Sequence, residues 1–219
     1  MRIRDWMTRD PIVVTPETPL LEAQRIMRQS KINHLPVVKR GRLVGIITRR
    51  KILEASPSSA TTLSIHEISY LLTKMTVADV MERDVISVPP ETTVEEILLL
   101  GMEKRIGSFP VVENGKLVGI ATATEITRAL VEILAAKEEG VLRLTLLSVQ
   151  MDEDTFPTIT SILRSNGAMP LSIISIPWRG TGERRIIIRC KAPKPKGVID
   201  ALKKAGFIIE RTPTRRKRR

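Results

Sequence analysis

Residues Met7 to Leu53 recur, with no insertion or deletion, as Met81 to Thr127, so every position in the first stretch has a counterpart 74 residues later. Identity holds at 20 of the 47 aligned positions. The opening Met7, Arg9, Asp10, Ile12, Val14, Pro16, Glu17 and Thr18 return as Met81, Arg83, Asp84, Ile86, Val88, Pro90, Glu91 and Thr92. Further on, Pro36-Val37-Val38 returns as Pro110-Val111-Val112, and Gly41-Arg42-Leu43-Val44-Gly45-Ile46-Ile47-Thr48 as Gly115-Lys116-Leu117-Val118-Gly119-Ile120-Ala121-Thr122. A repeat this regular means that one structural unit is built twice, and each copy must be read against the other.

The period of the apolar pattern changes in the same order in both copies. Ile12-Val13-Val14 and Val85-Ile86-Ser87-Val88 read as short strands, each broken by a Pro-Glu-Thr that offers a threonine as helix cap. Thr18 and Thr92 are the expected caps, with Pro19 at the first helical position in one copy and Thr92 with Glu95 as a capping box in the other. Helical spacing follows at Leu20, Ala23, Ile26 and Met27, and at Val94, Ile97 and Leu98. The run from Ile32 to Val38, the turn Lys39-Arg40-Gly41-Arg42 and the run Leu43 to Ile47 predict a hairpin, with a second helix from Thr48. A strand, helix, hairpin and helix of about fifty residues is too small to bury its own apolar faces, so the two copies are expected to pack together.

At 42% hydrophobic and 27% charged, the 219 residues have the chemistry of a globular chain with room for more than one domain. No run of eighteen apolar residues and no signal-like start is present, so a cytoplasmic protein without a membrane span is expected. Cys190 has no cysteine partner and is expected to pack as a small apolar group. Half of the +12 charge lies in Arg211, Arg215, Arg216, Lys217, Arg218 and Arg219, leaving 30 basic against 24 acidic residues for 1–210. Residues 211–219 therefore read as a basic, disordered arm able to touch RNA, DNA or anionic lipid without specificity. A solubilising role is the expectation, and nucleic acid is not an expected partner, because no aromatic platform or groove-reading helix is evident beside that charge.

The Pro-Val-Val and Gly-x-Leu-Val-Gly-Ile-x-Thr pattern resembles the CBS domain, which occurs as tandem pairs called Bateman modules. The resemblance covers residues 1 to about 130 and implies a pseudo-two-fold pair with clefts that bind adenosine-containing ligands such as AMP, ATP or S-adenosylmethionine. In that family the threonine at the strand end belongs to a Thr-x-x-Asp motif, the hydroxyl meeting phosphate and the carboxylate the ribose hydroxyls. Here the motif reads Thr48-Arg49-Arg50-Lys51 in the first copy and Thr122-Ala123-Thr124-Glu125 in the second. An ammonium only donates and cannot accept ribose hydroxyls, so Lys51 is not expected to hold a ribose, whereas Glu125 keeps the acceptor chemistry on a longer stem. Arg49, Arg50 and Lys51 at a helix start would attract phosphate, or leave an empty cleft if they point apart. The resemblance further implies ligand contacts from His34 and Ser108, from Arg105 (the counterpart of Lys31), and from Pro11, Ile12, Val85 and Ile86 around an adenine. His34 reads equally as a hydrogen-bonded histidine without a ligand role, and only His66 joins it in the chain, which makes no metal case.

Between the copies, Ser64 and Glu67 stand at capping-box spacing ahead of Ile65, Ile68, Leu71 and Leu72 on one helical face, so a linker helix is expected. From Leu142 onward the pattern is strand, helix, strand, strand, helix, strand. Leu142 to Leu146 alternates; Asp154 or Thr155 caps a helix that ends at Asn166-Gly167; strands at 171–176 and 185–188 flank Arg179-Gly180-Thr181-Gly182; a helix from Val198 stops at Gly206 before Phe207-Ile208-Ile209. This order is ferredoxin-like, as in ACT domains. Together with the linker it resembles the AcuB-like acetoin-utilisation proteins, which join a CBS pair to a C-terminal ACT-like domain. Amino-acid-binding ACT domains carry an Asp-x-Pro-Gly-like loop after the first strand; Met151-Asp152-Glu153-Asp154-Thr155-Phe156-Pro157 lacks the glycine and sets three carboxylates there, which disfavours an amino acid and favours sheet-to-sheet dimerisation or a different ligand.

The expected fold is α+β: a tandem CBS pair of two β-α-β-β-α repeats followed by a ferredoxin-like ACT domain. The expected divisions are 1–60, the first repeat; 61–76, the linker helix; 77–136, the second repeat; 140–210, the ACT-like domain; and 211–219, the tail. No Walker loop, zinc-spaced set or Gly-x-Ser-x-Gly elbow occurs, so a non-catalytic regulatory protein is expected. It would need no obligatory cofactor, take AMP, ADP, ATP or S-adenosylmethionine as a regulatory ligand, and act as a homodimer on a regulated enzyme. A nucleic-acid-associated protein working through its tail and a ligand-free dimerisation scaffold are the competing readings.

Overall fold

Both hairpins close through two residues of positive φ, Arg40 (51°) and Gly41 (78°) in one copy, Asn114 (50°) and Gly115 (76°) in the other. That is the type I′ geometry whose twist matches the strands on either side. The computed structural model describes residues 1–55, 74–178 and 180–211 and falls into two units, Met1–Ala129 and Leu130–Arg219. The expected linker helix around Ser64 and Glu67 and the tail beyond Arg211 lie outside the described residues.

The first unit runs through a short 3-10 turn at Ile3–Asp5, β1 (Thr8–Arg9), α1 (Leu20–Ser30), β2 (His34–Lys39), β3 (Arg42–Thr48), α2 (Arg49–Ala55), α3 (Val77–Val80), α4 (Val94–Lys104), β4 (Ser108–Glu113), β5 (Lys116–Thr122) and α5 (Ala123–Ile133). The two hairpins, β2–β3 and β4–β5, are antiparallel and carry a bulge at the same place, Val37/Val38 and Val111/Val112. The expected opening strands shrink to single parallel bridges, Val14 to Val37 and Val88 to Val111. Val14 donates to the Pro36 carbonyl at 3.1 Å and accepts from Val38 at 2.8 Å; Val88 makes the same pair of bonds at 3.0 and 2.9 Å. Pro16 and Pro90, lacking an N–H, stop any longer ladder.

The segment ahead of each repeat packs on the other repeat. Ile3 is fully buried in the core of the second repeat beside Val94, Ile97 and Phe109, while Val77 and Met81 are buried in the core of the first beside Leu20, Met27 and Leu35. Ile3 donates to the Thr92 carbonyl at 2.8 Å, and its counterpart Val77 donates to Thr18 at 2.9 Å. β1 pairs with β5, Thr8 opposite Ile120, and the equivalent Glu82 bridges Ile46 on β3. Gly45 and Gly119 admit this exchange. A Cβ on Gly45 would lie 2.7 Å from the Met81 sulfur and 2.9 Å from the Glu82 carbonyl, and one on Gly119 would overlap Met7 and reach within 3.0 Å of the Thr8 carbonyl.

The exchange also moves the helix caps from where the sequence set them. The carbonyls of Thr18 and Thr92 serve the incoming segments, and capping passes to the next residue. In α4 the box is Thr93 with Glu96: Thr93 Oγ1 accepts the Glu96 N–H at 3.2 Å and Glu96 Oε2 accepts the Thr93 N–H at 2.7 Å. In α1 the cap is Pro19 itself, and Thr18 Oγ1 accepts the Thr15 N–H at 3.0 Å instead.

The second unit contains β6 (Leu142–Val149), α6 (Thr155–Ser165), β7 (Met169–Pro177), β8 (Arg184–Lys191), α7 (Pro195–Lys204) and β9 (Ile208–Arg211). The four strands form one antiparallel sheet in the order β7-β8-β6-β9. Leu144, Leu146, Ile186, Ile188 and Cys190 project from one face onto Ile159 and Leu163 of α6 and Val198 and Leu202 of α7. Burial raises the Cys190 thiol pKa and leaves it a packing group. Asp154 occupies the cap position of α6 without a side-chain bond, because Thr155 turns to Asp152, donating to its carboxylate at 2.5 Å and accepting its N–H at 3.1 Å. The Thr155 hydroxyl holds the Asp152 carboxyl below its usual pKa.

Candidate functional site

Each hairpin ends on a threonine that starts a helix. Thr48 Oγ1 accepts the N–H of Lys51 at 3.2 Å at the head of α2, and Thr122 Oγ1 accepts that of Thr124 at 3.2 Å at the head of α5. His34 stands opposite Thr48 in the first hairpin, and Ser108 opposite Thr122 in the second. The loops before them lock to the same helix starts, Arg49 donating to the Asn33 carbonyl at 2.9 Å and Ala123 to Gly107 at 3.2 Å.

Glu125 is 5% exposed and fully engaged. Its Oε2 accepts the Thr122 hydroxyl at 2.5 Å and the Thr122 N–H at 3.0 Å, while Oε1 accepts the hydroxyl of Thr8, the residue brought in on β1, at 3.1 Å. Arg128 lies 3.8 Å from the same oxygen. The pseudo-equivalent of this contact is Lys51 with Glu82, 3.8 Å apart. Both positions of the altered motif thus bind the segment crossing from the other repeat, one through a hydroxyl and the other through a counter-charge. The sequence places Lys51 and Glu82 in equivalent slots to Glu125 and Thr8, but only the exchange shows that they meet.

His34 is partly buried at the end of the first hairpin. Burial lowers its pKa, and the negative charge of Glu125 in the second repeat partly opposes that shift. His34 and Thr48 thus stand together at the end of the first hairpin, and Ser108, Thr122 and Glu125 at the end of the second. Ile86 packs against the second core, and Pro11 and Val85 are half-buried, while Ile12 is 46% exposed. Arg105 caps the C-terminal end of α4 in the left-handed conformation, φ 55°, as Lys31 does for α1 at φ 54°, and both are exposed.

None of these eleven residues lines the cleft of about 400 Å³ in this unit, whose walls include Pro16, Glu17, Lys39, Val44, Ala78 and Arg83. Its counterpart in the second repeat is occupied by Arg2 and Arg4, paired to Glu91 and, from Arg4, to Glu113; Thr76 and Ala78 stand where those arginines would be. Among the described residues no group of three His, Cys, Asp or Glu side chains could hold a metal ion, and no helix is long and apolar enough to cross a membrane.

Residues 3–58 and 77–132, just over half of the chain and offset by the same 74 positions as the internal repeat, match the CBS domain. The chain belongs to the CBS-domain family. Curated relatives of this CBS-domain protein include inosine-5'-monophosphate dehydrogenase of Korarchaeum cryptofilum (strain OPF8), 34% identical over 160 residues that make up 72% of this chain. The chain spans about a third of that relative's length, 30%. A solved structure assigned to acetoin utilization (AcuB) from Vibrio cholerae is 30% identical, with a TM-score of 0.53 over 64% of this chain and 96% of the other. The CBS domain pair of protein MJ0100, in complex with 5-methylthioadenosine and S-adenosyl-L-methionine, is 29% identical at a TM-score of 0.50 over 59% of this chain and 99% of the other. CBSX2 in complex with AMP is 27% identical at 0.51, over 60% and 97%.

Proposed function

We propose that this protein is a non-catalytic regulator whose CBS pair binds an adenosine-containing ligand, AMP, ADP, ATP or S-adenosylmethionine, where the two hairpins end. The observation that carries the reading is Glu125, a buried carboxylate of the second repeat that holds the hydroxyl of Thr8, the residue brought in on β1. CBS pairs of similar fold hold AMP or S-adenosylmethionine. Glu125 is the ribose acceptor in this reading, Thr122 and Thr48 meet phosphate, His34, Ser108 and Arg105 border the ligand, and Pro11, Ile12, Val85 and Ile86 flank the base. Lys51, tied to Glu82, leaves its own cleft to a phosphate-rich ligand or to none.

The mechanism is differential affinity. Ribose hydroxyls compete with Thr8 for Glu125 Oε1, so a bound ligand loosens the β1–β5 clasp and favours a different arrangement of the two repeats. We read the second unit as a ferredoxin-like ACT domain that receives the change and supports a homodimer. The four ligands are to be screened by thermal unfolding and the best one titrated calorimetrically. At a hundredfold excess over Kd a true ligand stabilises by about 2.7 kcal/mol. Glu125→Gln should weaken binding roughly ten- to a hundredfold, since a hydrogen bond to a charged group contributes about 1.5–3 kcal/mol. Equal affinity in the variant would remove Glu125 from the site, and no stabilisation by any of the four would end the sensor reading.

A further inference from the structure

The face of the C-terminal sheet turned away from α6 and α7 has a composition that a solvated sheet face does not need. Register places Ser172, Arg189 and Arg143 in one row across β7, β8 and β6, and Ile174, Ile187, Thr145 and Glu210 in the next. Ile176 and Arg185 follow in a third row. Arg143 and Arg189 are thus directly opposed like charges, an arrangement that destabilises a bare sheet. Among the described residues neither Arg185 nor Arg189 forms an ion pair with an acid, and Arg189 Nε and Ser172 Oγ are buried without a hydrogen-bond partner. Arg143 reaches over Thr145, donating to its hydroxyl at 3.4 Å. Beyond the end of β7, Trp178 lies under Arg185, whose guanidinium carbon is 3.2 Å from the ring centroid. Arg143, Thr145, Trp178 and Arg185 border a depression of about 280 Å³ with Ile176, Ile187 and Glu210. Trp178, Ile176 and Ile208 remain 38%, 42% and 61% exposed.

Charge is concentrated in the same unit. Leu130–Arg219 holds 18 basic and 9 acidic residues, which is +9 of the chain's +12. Five of those basic residues, Arg215 to Arg219, follow β9 in sequence, and β9 is the edge strand beside β6.

We propose that this open sheet face binds single-stranded nucleic acid, with Trp178, the Arg185 guanidinium and the neighbouring Ile174 and Ile187 taking base faces, and Arg143 and Arg189 taking phosphates. An aromatic platform beside a basic track is the combination that single strands require, because every base has a π-face to stack and every linkage a charge to neutralise. Four strands spaced at about 4.8 Å make a surface roughly 14 Å wide, room for two or three splayed bases. A duplex keeps its base faces stacked inside, where the Trp178 ring cannot reach them. A second copy of the chain is the poorer occupant, since a two-fold contact would bring Arg143, Arg185 and Arg189 toward their own images.

The test is fluorescence anisotropy of a labelled single-stranded RNA of about twelve nucleotides, its DNA equivalent and the matching duplex, titrated with the full chain at several salt concentrations. The proposal expects single strands to bind tighter than duplex, with affinity falling as salt rises. Trp178→Ala and the pair Arg143→Ala with Arg185→Ala should each weaken binding at least about fivefold at unchanged unfolding temperature. In a Trp6→Phe background, quenching of the remaining Trp178 emission by the RNA reports stacking directly. Removal of 212–219 should reduce affinity and leave that quenching intact. The proposal is overturned if affinity is lost with 212–219 but untouched by the sheet variants, if duplex binds as well as single strand, if AMP or ATP alone saturates the quenching and RNA adds nothing, or if sedimentation shows the face closed by self-association.

Discussion

Gly45 and Gly119 are small because another repeat's backbone and methionine pass within 3 Å of where a Cβ would stand. Gly119→Ala should therefore destabilise the first unit by about 1–3 kcal/mol through overpacking, measurable by denaturant unfolding, while Gly107→Ala, with open space around it, should not. His34 gives a second prediction at this scale. Burial depresses its folded-state pKa below the unfolded value of about 6.5, so the unfolded chain takes up the proton first. Stability contributed by His34 is complete above that unfolded value and is lost as pH falls through the lower folded one. Unfolding free energies measured in steps from pH 8 to 5.5 should decline in the wild type and decline less in His34→Gln; identical slopes would clear His34 of the effect. The partners of the two altered Thr-x-x-Asp motifs were visible in the sequence only as residue types. That Lys51 meets Glu82, and Glu125 meets Thr8, depends on contacts between residues 31 and 117 positions apart.

Helix starts and strand ends show how a tertiary demand displaces a local preference by one position. Thr92 and Glu95 have capping-box spacing, and so do Thr93 and Glu96. The second box forms because the Thr92 carbonyl is taken by Ile3. Thr93→Ala should cost about 1 kcal/mol of stability, and Thr92→Ala markedly less, in paired thermal unfolding measurements. The opposite ranking would mean that the box has shifted back. Hairpin turns, by contrast, were legible in place, since Gly41 and Gly115 take positive φ without steric cost and Asn114 tolerates it. The β-α-β-β-α-β order of the second unit was equally plain from periodicity, but the pattern does not say which groups share the uncovered face. The row of Arg143, Arg189 and Ser172 is set by register between strands up to 46 residues apart.

The first unit is two copies of one chain segment, each completed by the lead-in of the other. Ile3 replaces nothing in its own repeat and is fully buried in the second. Ile3→Ala should cost about 2–5 kcal/mol and fall unevenly. In native-state hydrogen exchange, amides of β4 and β5 should lose protection while those of β2 and β3 keep theirs; uniform loss would show that the repeats open as one body. In the proposed function the exchange bears on binding as well, because the carboxylate assigned to the ribose also holds Thr8 of the incoming strand.

The repeat, its offset, the hairpin turns, the order of elements in both units and the concentration of charge toward the end of the chain all follow from the sequence, because each is either an identity along the chain or a preference acting over a few residues. The exchange of lead-in segments, the shifted caps, the partners of Lys51 and Glu125, and the Trp178–Arg185 platform were decided by tertiary packing. Those features join groups remote in sequence, and their energies exist only once buried area and strand register have brought the groups within contact distance.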